Sequence, residues 1–287
     1  MKISAPATVL ALLGGLLLTA CADDTVTPDP SATARLDREN GIVVLPLDEY
    51  ATSPADEDVM TRARLAILRS CLQPKGHNGV APPESAAYAE QRPYGLWLPE
   101  RAAHNGFALE PREDAADLVP PPGGWSNEAD PAFNAAYEEC QPKVMDQMLA
   151  VSGPPVGAGS VAGSLTLDAR SLAAGDPRWE AAREEWKQCL RDRGLTPRDG
   201  EGAWSSREAV DLLDRQGDPD TAKREEIRIA VIEADCNEQK NLTQRLGDVE
   251  AGYQAALMKG KEAALEEEKR TTGEHLDAAR AYLAEHQ

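Results

Sequence analysis

The sequence predicts a mainly α-helical protein made of two disulfide-stapled helical units. Ala, Glu, Arg and Leu are abundant and aromatic residues make up only 5% of the chain, a composition that favours helices. The motif Cys-Leu-x-x-(Lys/Arg)-Gly occurs twice, at 71–76 and 189–194. Apolar residues also recur at steps of three and four, the spacing of one helix face. We expect a Pro/Gly-rich loop insert in the first unit and a long helical hairpin or coiled-coil-like extension at the C-terminus.

The first 20 residues have the pattern of a secretory signal peptide. Lys2 precedes an uncharged, mostly apolar run at 5–20, which is the order of regions found in such signals. The run is short and contains two glycines, whereas a comfortable bilayer span needs about 20 apolar residues. We therefore predict export and removal of residues 1–20.

The end of this run, Leu-Thr-Ala-Cys at 18–21, resembles the lipobox of bacterial lipoproteins. The resemblance implies transfer of a diacylglyceryl group to the Cys21 sulfur and cleavage just before this residue. Two or more acyl chains anchor a protein stably, since each buried CH₂ contributes about 0.8 kcal/mol. We expect a protein held by lipid on the extracytoplasmic face of the cell membrane. The following residues, rich in Asp, Pro, Thr and Ser, predict a disordered tether.

The other four cysteines predict two disulfide bonds in an exported protein. Four cysteines allow three pairings, and their number alone does not choose among them. The first and third lie near predicted helix ends followed by Gly, whereas the second and fourth end acidic helical runs. This alternation favours two copies of one unit, with the bridges Cys71–Cys140 and Cys189–Cys236. A metal site is disfavoured because no two cysteines are close in sequence.

Asp-Pro pairs at 130–131, 176–177 and 218–219 predict the starts of three helices. Asp is a strong N-cap and Pro is preferred at the first helical position. Another helix is predicted from about 55 to 72. The five predicted segments are a signal peptide at 1–20, a disordered tether at 21–40, a first cysteine-stapled unit at 41–151, a Gly/Pro/Ser-rich linker at 152–175, and a second unit with long C-terminal helices at 176–287.

Little regular structure is predicted for the Pro-, Gly- and Asn-rich insert between the first two bridge cysteines. One small hairpin is expected near 95–98 and 107–109, and one short strand within 41–47. The C-terminal stretch instead carries an apolar stripe at 4-3-4-3 spacing. This stripe has two alternative explanations. It either pairs with a partner helix or packs against the chain itself. Its positions are Leu242, Leu246, Val249, Tyr253, Ala256, Gly260 and Ala263.

Several of these features together are familiar from one group of proteins. A cysteine helix is followed by Arg-Pro-Tyr-Gly-Leu-Trp at 92–97, by His-Asn-Gly-Phe at 104–107, and by an acidic helix with a second cysteine. This order resembles a group of uncharacterised secreted lipoproteins of high-GC Gram-positive bacteria. The resemblance covers about 55–150 and, more weakly, 176–240. It implies an exported lipoprotein, and it brings no activity and no site residues with it.

The formal net charge of −19 argues against a nucleic-acid partner, because an acidic surface repels phosphates. His77 and His104 each begin a His-Asn-Gly turn, and Glu84 and Glu110 are the nearby acids that would complete a metal site with them. Turn chemistry explains both histidines without a metal, and adjacent helical acids point apart rather than into a common cleft. We therefore predict no catalytic residues, no metal and no cofactor.

The strongest candidate for a recognition surface is an aromatic cluster in the loop-rich insert. Tyr94, Trp97, Phe107 and Trp125 concentrate large side chains in a Pro-stiffened region, as recognition loops do. The alternative is that they form the core of this region. We expect a non-catalytic accessory or binding subunit for a membrane or cell-wall partner. The alternatives are an enzyme acting on an extracellular polymer and a solute-capture lipoprotein, with the identity of any small ligand undetermined.

Overall fold

The prediction of a mainly α-helical fold with two disulfide bonds is confirmed by a computed structural model. The structure describes residues 26–81, 90–109, 124, 126, 129–153, 159–200, 202–212 and 218–286. The elements are β1 (Arg35–Asp37), β2 (Ile42–Val44), α1 (Pro54–Leu72), α2 (Pro99–Asn105), α3 (Pro131–Ser152), α4 (Val161–Ala174), α5 (Pro177–Asp192), α6 (Arg207–Asp211), α7 (Pro219–Gln239), α8 (Leu242–Met258) and α9 (Glu262–Glu285). The predicted signal peptide and Cys21 lie outside the described residues.

The Asp-Pro pairs begin three of these helices, as the sequence predicts. The carboxylate of Asp130 accepts a hydrogen bond from a backbone N–H in the first turn of α3 at 2.9 Å. Asp176 caps α5 and Asp218 caps α7 in the same way. Each cap satisfies one of the backbone donors that a helix start leaves without a partner.

One hydrophobic core lies among α1, α3 and α9. The Cys71–Cys140 disulfide joins α1 to α3, with 5.7 Å between the two Cα atoms. The last helix packs against both of them. It continues through Gly273 without a break. Buried members of this core include Met60, Ile67, Leu72, Phe133, Val144, Val151 and Ala279.

A second and larger core lies among α4, α5, α7 and α8. The Cys189–Cys236 disulfide joins α5 to α7, so both bridges link the pairs expected from two copies of one unit. In the chain-entropy model, loops of this size give about 4 kcal/mol of stabilisation per bridge. The first four positions of the C-terminal apolar stripe, from Leu242 to Tyr253, are buried in this core, in agreement with packing against the chain itself. The stripe does not continue as predicted, because α8 ends at Met258 and both Gly260 and Ala263 are exposed. Buried members include Trp179, Trp186, Leu190, Ile229, Leu242, Leu246 and Val249.

The two cores do not correspond to consecutive halves of the chain. Residues 90–98 lie in sequence between the two cysteines of the first bridge, but they pack into the second core. The last helix, α9, returns to the first core instead. A small cluster of Leu47, Ala162, Leu165 and Leu265 connects the two regions. The predicted units at 41–151 and 176–287 are therefore defined by the sequence pattern, and they do not form two separately packed bodies.

The predicted tether is wrong for residues 26–40, which pack onto α8. The Ala34 N–H donates to Asp248 Oδ1 at 2.9 Å, and the Asp29 N–H donates to the Gly252 carbonyl oxygen at 2.9 Å. The two strands then pair antiparallel, with Leu36 opposite Val43. Small residues on α8 let this polar segment approach closely, which composition alone does not reveal.

Two further expectations need correction. The predicted linker at 152–175 contains α4, whose Ala162, Leu165, Ala169 and Ala173 are buried. Its side chains are small, so they resemble linker composition while still filling the narrow space against α8. The hairpin expected near 95–98 and 107–109 is replaced by α2, which begins at a proline.

Among the helices of the described ranges, none combines the length and apolar character needed to cross a membrane.

We predict opposite effects of alanine at two helical glycines. A Cβ atom on Gly247 would lie 2.6 Å from the Ala34 Cβ, so Gly247→Ala should lower the free energy of unfolding by about 1–3 kcal/mol, the usual cost of overpacking. The matched control is Gly273→Ala in α9, where a Cβ atom would meet nothing within 4 Å. This substitution should raise the free energy of unfolding by roughly 0.5–1 kcal/mol. Urea titration measures both, and stabilisation by Gly247→Ala would contradict the packing of residues 26–40 on α8.

Candidate functional site

The predicted aromatic recognition surface is largely part of the second core. Tyr94 is fully buried and Trp97 is 2% exposed, while Phe107 is half-buried against the same packing. Trp125 lies outside the described residues. Tyr94 and Trp97 therefore follow the alternative interpretation, that of core residues, and neither presents a surface to a partner.

The Arg-Pro-Tyr-Gly-Leu-Trp motif fixes this segment in the second core. Gly95 has a φ of +86°, and a Cβ atom there would lie 2.9 Å from the Trp204 carbonyl oxygen. The indole N–H of Trp97 donates to the Gln91 carbonyl oxygen at 2.9 Å. Asn237 on α7 donates to the Tyr94 carbonyl oxygen at 3.2 Å. Only glycine accepts both this backbone conformation and the close contact.

A buried carboxylate lies beneath the motif. Glu250 on α8 is 1% exposed, and its Oε2 accepts a hydrogen bond from the Tyr94 hydroxyl at 2.9 Å. Arg170 on α4 brings its Nε within 2.7 Å of the same oxygen. Burial raises the pKa of Glu250, while the charge of Arg170 and the Tyr94 hydrogen bond act to lower it. Burial likewise raises the pKa of Tyr94 well above its ordinary value.

Next to Arg170, a cleft of about 570 Å³ opens between α4, α5 and the described residues 200 and 202–204. Its walls combine aromatic rings, charged side chains and glycine backbone. The side chains that matter for its chemistry are Arg170, Ser171, Trp179, Glu180, Arg183 and Trp204.

Two guanidinium groups lie over aromatic rings in this cleft. The Cζ of Arg170 is 4.8 Å from the Tyr94 ring centroid and 5.7 Å from that of Trp179. The Cζ of Arg183 is 5.2 Å from the Trp204 centroid. Arg183 also donates from Nη2 to the Gly200 carbonyl oxygen. Cation–π contacts of this kind hold a guanidinium in place while leaving its N–H groups able to donate.

Of the described charged side chains that line the cleft, one has an ion-pair partner and two have none. Arg170 is compensated by Glu250. Within the part of the chain that the structure describes, Arg183 and Glu180 have no ion-pair partner. The Arg183 Nε is buried and makes no hydrogen bond to any described residue.

A second buried carboxylate holds the loop that carries Trp204. Glu233 on α7 is 1% exposed, and its Oε1 accepts the Ser206 N–H at 2.7 Å. Ser206 in turn caps α6 through its hydroxyl. The Glu233 Oε2 has no hydrogen-bond partner among the described residues. Burial raises the pKa of Glu233 from 4.5 to about 7, and the hydrogen bonds from Ser206 oppose that rise.

The remaining candidate residues are not brought together in the described ranges. The His77 ring packs edge-on against Phe133, with centroids 5.5 Å apart. His104 Nδ1 lies 2.7 Å from the Glu100 carbonyl oxygen. Glu84 and Glu110 fall outside those ranges. Among the residues that can be searched, no group of three or more His, Cys, Asp or Glu is arranged to hold a metal ion.

Sequence reasoning missed the cleft because it assigned one wall to a linker. A usable signal was present, since Ser160 is a good N-cap and its hydroxyl accepts the Gly163 N–H at 2.9 Å. The apolar positions 162, 165, 169 and 173 then follow helical spacing. The convergence of that helix with residues 200 and 202–204 has no comparable local signal.

Scans against protein-family models, curated proteins and solved structures found no match to this chain.

We predict that Glu233 makes stability fall as pH rises. The folded chain holds this proton up to about pH 7, whereas the unfolded chain loses it near pH 4.5, so the free energy of unfolding decreases across that interval. Glu233→Gln keeps an acceptor for Ser206 and removes the charge. This substitution should make the free energy of unfolding depend less on pH and should raise it by up to about 3 kcal/mol at pH 8.

The matched control for this change is Glu238→Gln, an exposed position on the same helix. Its exposed pair with Arg38 is worth at most about 1 kcal/mol. Urea titrations between pH 4 and pH 8 compare the two variants with the parent chain. Equal pH slopes for Glu233→Gln and the parent would show that this carboxylate is not the source of the pH dependence.

Proposed function

We propose that this protein is a lipid-anchored extracytoplasmic binding protein that holds a small ligand in the cleft between α4, α5 and residues 200 and 202–204. The observation that carries the proposal is the pair of guanidinium groups stacked on aromatic rings around that cleft. The anchor rests on the lipobox resemblance at 18–21. The bound ligand would then be presented at the outer face of the cell membrane.

The volume of the cleft, about 570 Å³, suits a small organic molecule. Ligand pockets usually measure about 300–1,000 Å³ and combine apolar walls with a few fixed polar groups. Arg170 is fixed by Glu250 and by two rings, and Arg183 is fixed by Trp204 and the Gly200 carbonyl. Side chains that are already ordered lose little entropy on binding, which favours affinity.

Other functional interpretations have less support from the geometry. Leu246, Val249 and Tyr253 of the C-terminal stripe pack in the second core, so the main reason for a partner helix in a groove is removed. An enzyme acting on an extracellular polymer would need catalytic groups, such as His77 and His104 or paired acids, to meet in one cleft. The two histidines make unrelated contacts, and the acids buried nearest the cleft belong to structural hydrogen bonds.

The proposal is tested by thermal unfolding of the acylated full-length protein in detergent micelles. A panel of amino acids, mono- and disaccharides, nucleosides, organic acids and inorganic phosphate is added one compound at a time. A ligand present at 100 times its Kd should raise the free energy of unfolding by about 2.7 kcal/mol and so raise Tm.

Two tryptophan substitutions on α4 locate the binding site. Ser171→Trp places a large side chain in the cleft and should abolish the shift in Tm. Ser164→Trp is the matched control, because this exposed position lies two turns earlier on α4 and outside the cleft. A shift that survives Ser171→Trp, or a panel without any active compound, would contradict the proposed function.

A further inference from the structure

We propose that the ligand of this cleft is a zwitterion, namely a free α-amino acid with an apolar side chain. This inference rests on the proposed function and names the chemical class of the ligand. It follows from the arrangement of opposite charges along α5 and from the aromatic wall beside them.

The cationic half of the arrangement is Arg183. Its neighbours on the helix have carboxylate partners, since Arg178 pairs with Asp176 at 2.8 Å and Arg191 pairs with Glu184. Arg183 instead stacks on Trp204 and gives one N–H to a backbone carbonyl. Its remaining donors face no carboxylate of the described residues. A planar guanidinium held in this way is suited to bind a ligand carboxylate through two hydrogen bonds.

The anionic half is Glu180, which lines the same cleft. No cation of the described chain lies within ion-pair distance of its carboxylate. Residues three apart on a helix have Cβ atoms about 5–6 Å apart, so Glu180 and Arg183 share one face of α5. The ammonium and carboxylate of an α-amino acid are attached to the same carbon, and both can therefore reach this pair at once.

The other described charged residue that lines the cleft, Arg170, is compensated by Glu250. Among the described residues of the cleft, one positive and one negative group therefore remain for the ligand. A simple anion would bind Arg183 but would be repelled by Glu180. A simple cation would bind Glu180 but would be repelled by Arg183. A zwitterion satisfies both groups without adding net charge, which matches the charge of the site.

The aromatic wall provides a place for the ligand side chain. Trp204 is half-buried at the mouth of the cleft, and its ring lies 6.0 Å from that of Trp179. Ala174 and the backbone of Gly175 complete an apolar strip along α4. An aliphatic or aromatic side chain placed there removes apolar surface from water on both sides.

The inference is tested by calorimetric titration of the acylated full-length protein with matched compounds. L-phenylalanine and L-leucine carry both charges, their N-acetyl derivatives keep only the carboxylate, and their amides keep only the ammonium. We expect at least one of the two amino acids to bind about tenfold or more tightly than either of its derivatives, because each derivative loses a charge-assisted hydrogen bond.

Variants assign each end of the ligand to its residue. Glu180→Gln should weaken the amino acid about tenfold and leave the N-acetyl derivative nearly unchanged. Arg183→Gln should weaken the amino acid and leave the amide nearly unchanged. Arg191→Gln is the control, because this arginine is exposed, paired with Glu184 and outside the cleft. A merely structural role for Glu180 or Arg183 would weaken all three compounds alike.

The possible failures separate this inference from the proposed function. If the three forms of each amino acid bind equally, or if neither amino acid binds while a sugar or phosphate does so in a manner abolished by Ser171→Trp, the zwitterion is wrong and the binding function stands. If no defined solute binds to the cleft, both the inference and the proposed function are overturned.

Discussion

The buried carboxylate of Glu250 is the interaction on which the rest of the structure depends. An isolated charge in a protein interior costs several kcal/mol, so its partners must be brought to it. Tyr94 arrives from the loop-rich insert and Arg170 from α4, and both reach the same carboxylate oxygen within 2.9 Å. Three segments that are distant in sequence must therefore meet for the second core to form. Removing one partner of a buried pair typically costs about 3–5 kcal/mol.

The same interaction connects the interlaced fold with the cleft. Because Tyr94 packs beneath α4 and α5, the loop-rich insert supports the floor of the site instead of forming a separate surface. Arg170 extends from that floor to the cleft wall, already neutralised by Glu250. Among the described residues that line the cleft, the charged groups without an ion-pair partner are Glu180 and Arg183 on α5. Packing thus determines which charges of the cleft are compensated internally and which are not.

The sequence predicts the local features of this molecule better than its long-range contacts. The Asp-Pro caps and cysteine spacing reflect interactions within a few residues or a repeated pattern, and both reappear in the structure. Residues 161–174 were assigned to a linker because small side chains are common to linkers and to tightly packed helices. Tyr94 and Trp97 were ambiguous because the same aromatic cluster suits a core or a surface. The cleft depends on α4, α5 and residues 200 and 202–204 meeting in space, which no local pattern specifies.

The most direct test of this account is native-state hydrogen exchange of the full-length protein, read by mass spectrometry at increasing urea concentrations. Local and global opening free energies separate segments that unfold together from those that do not. The account predicts that the backbone amides of residues 94–98 lose protection together with α8 of the second core. Loss of protection together with α1 and α3, the helices joined by the first disulfide, would contradict the interlaced arrangement and the support that it gives to the cleft.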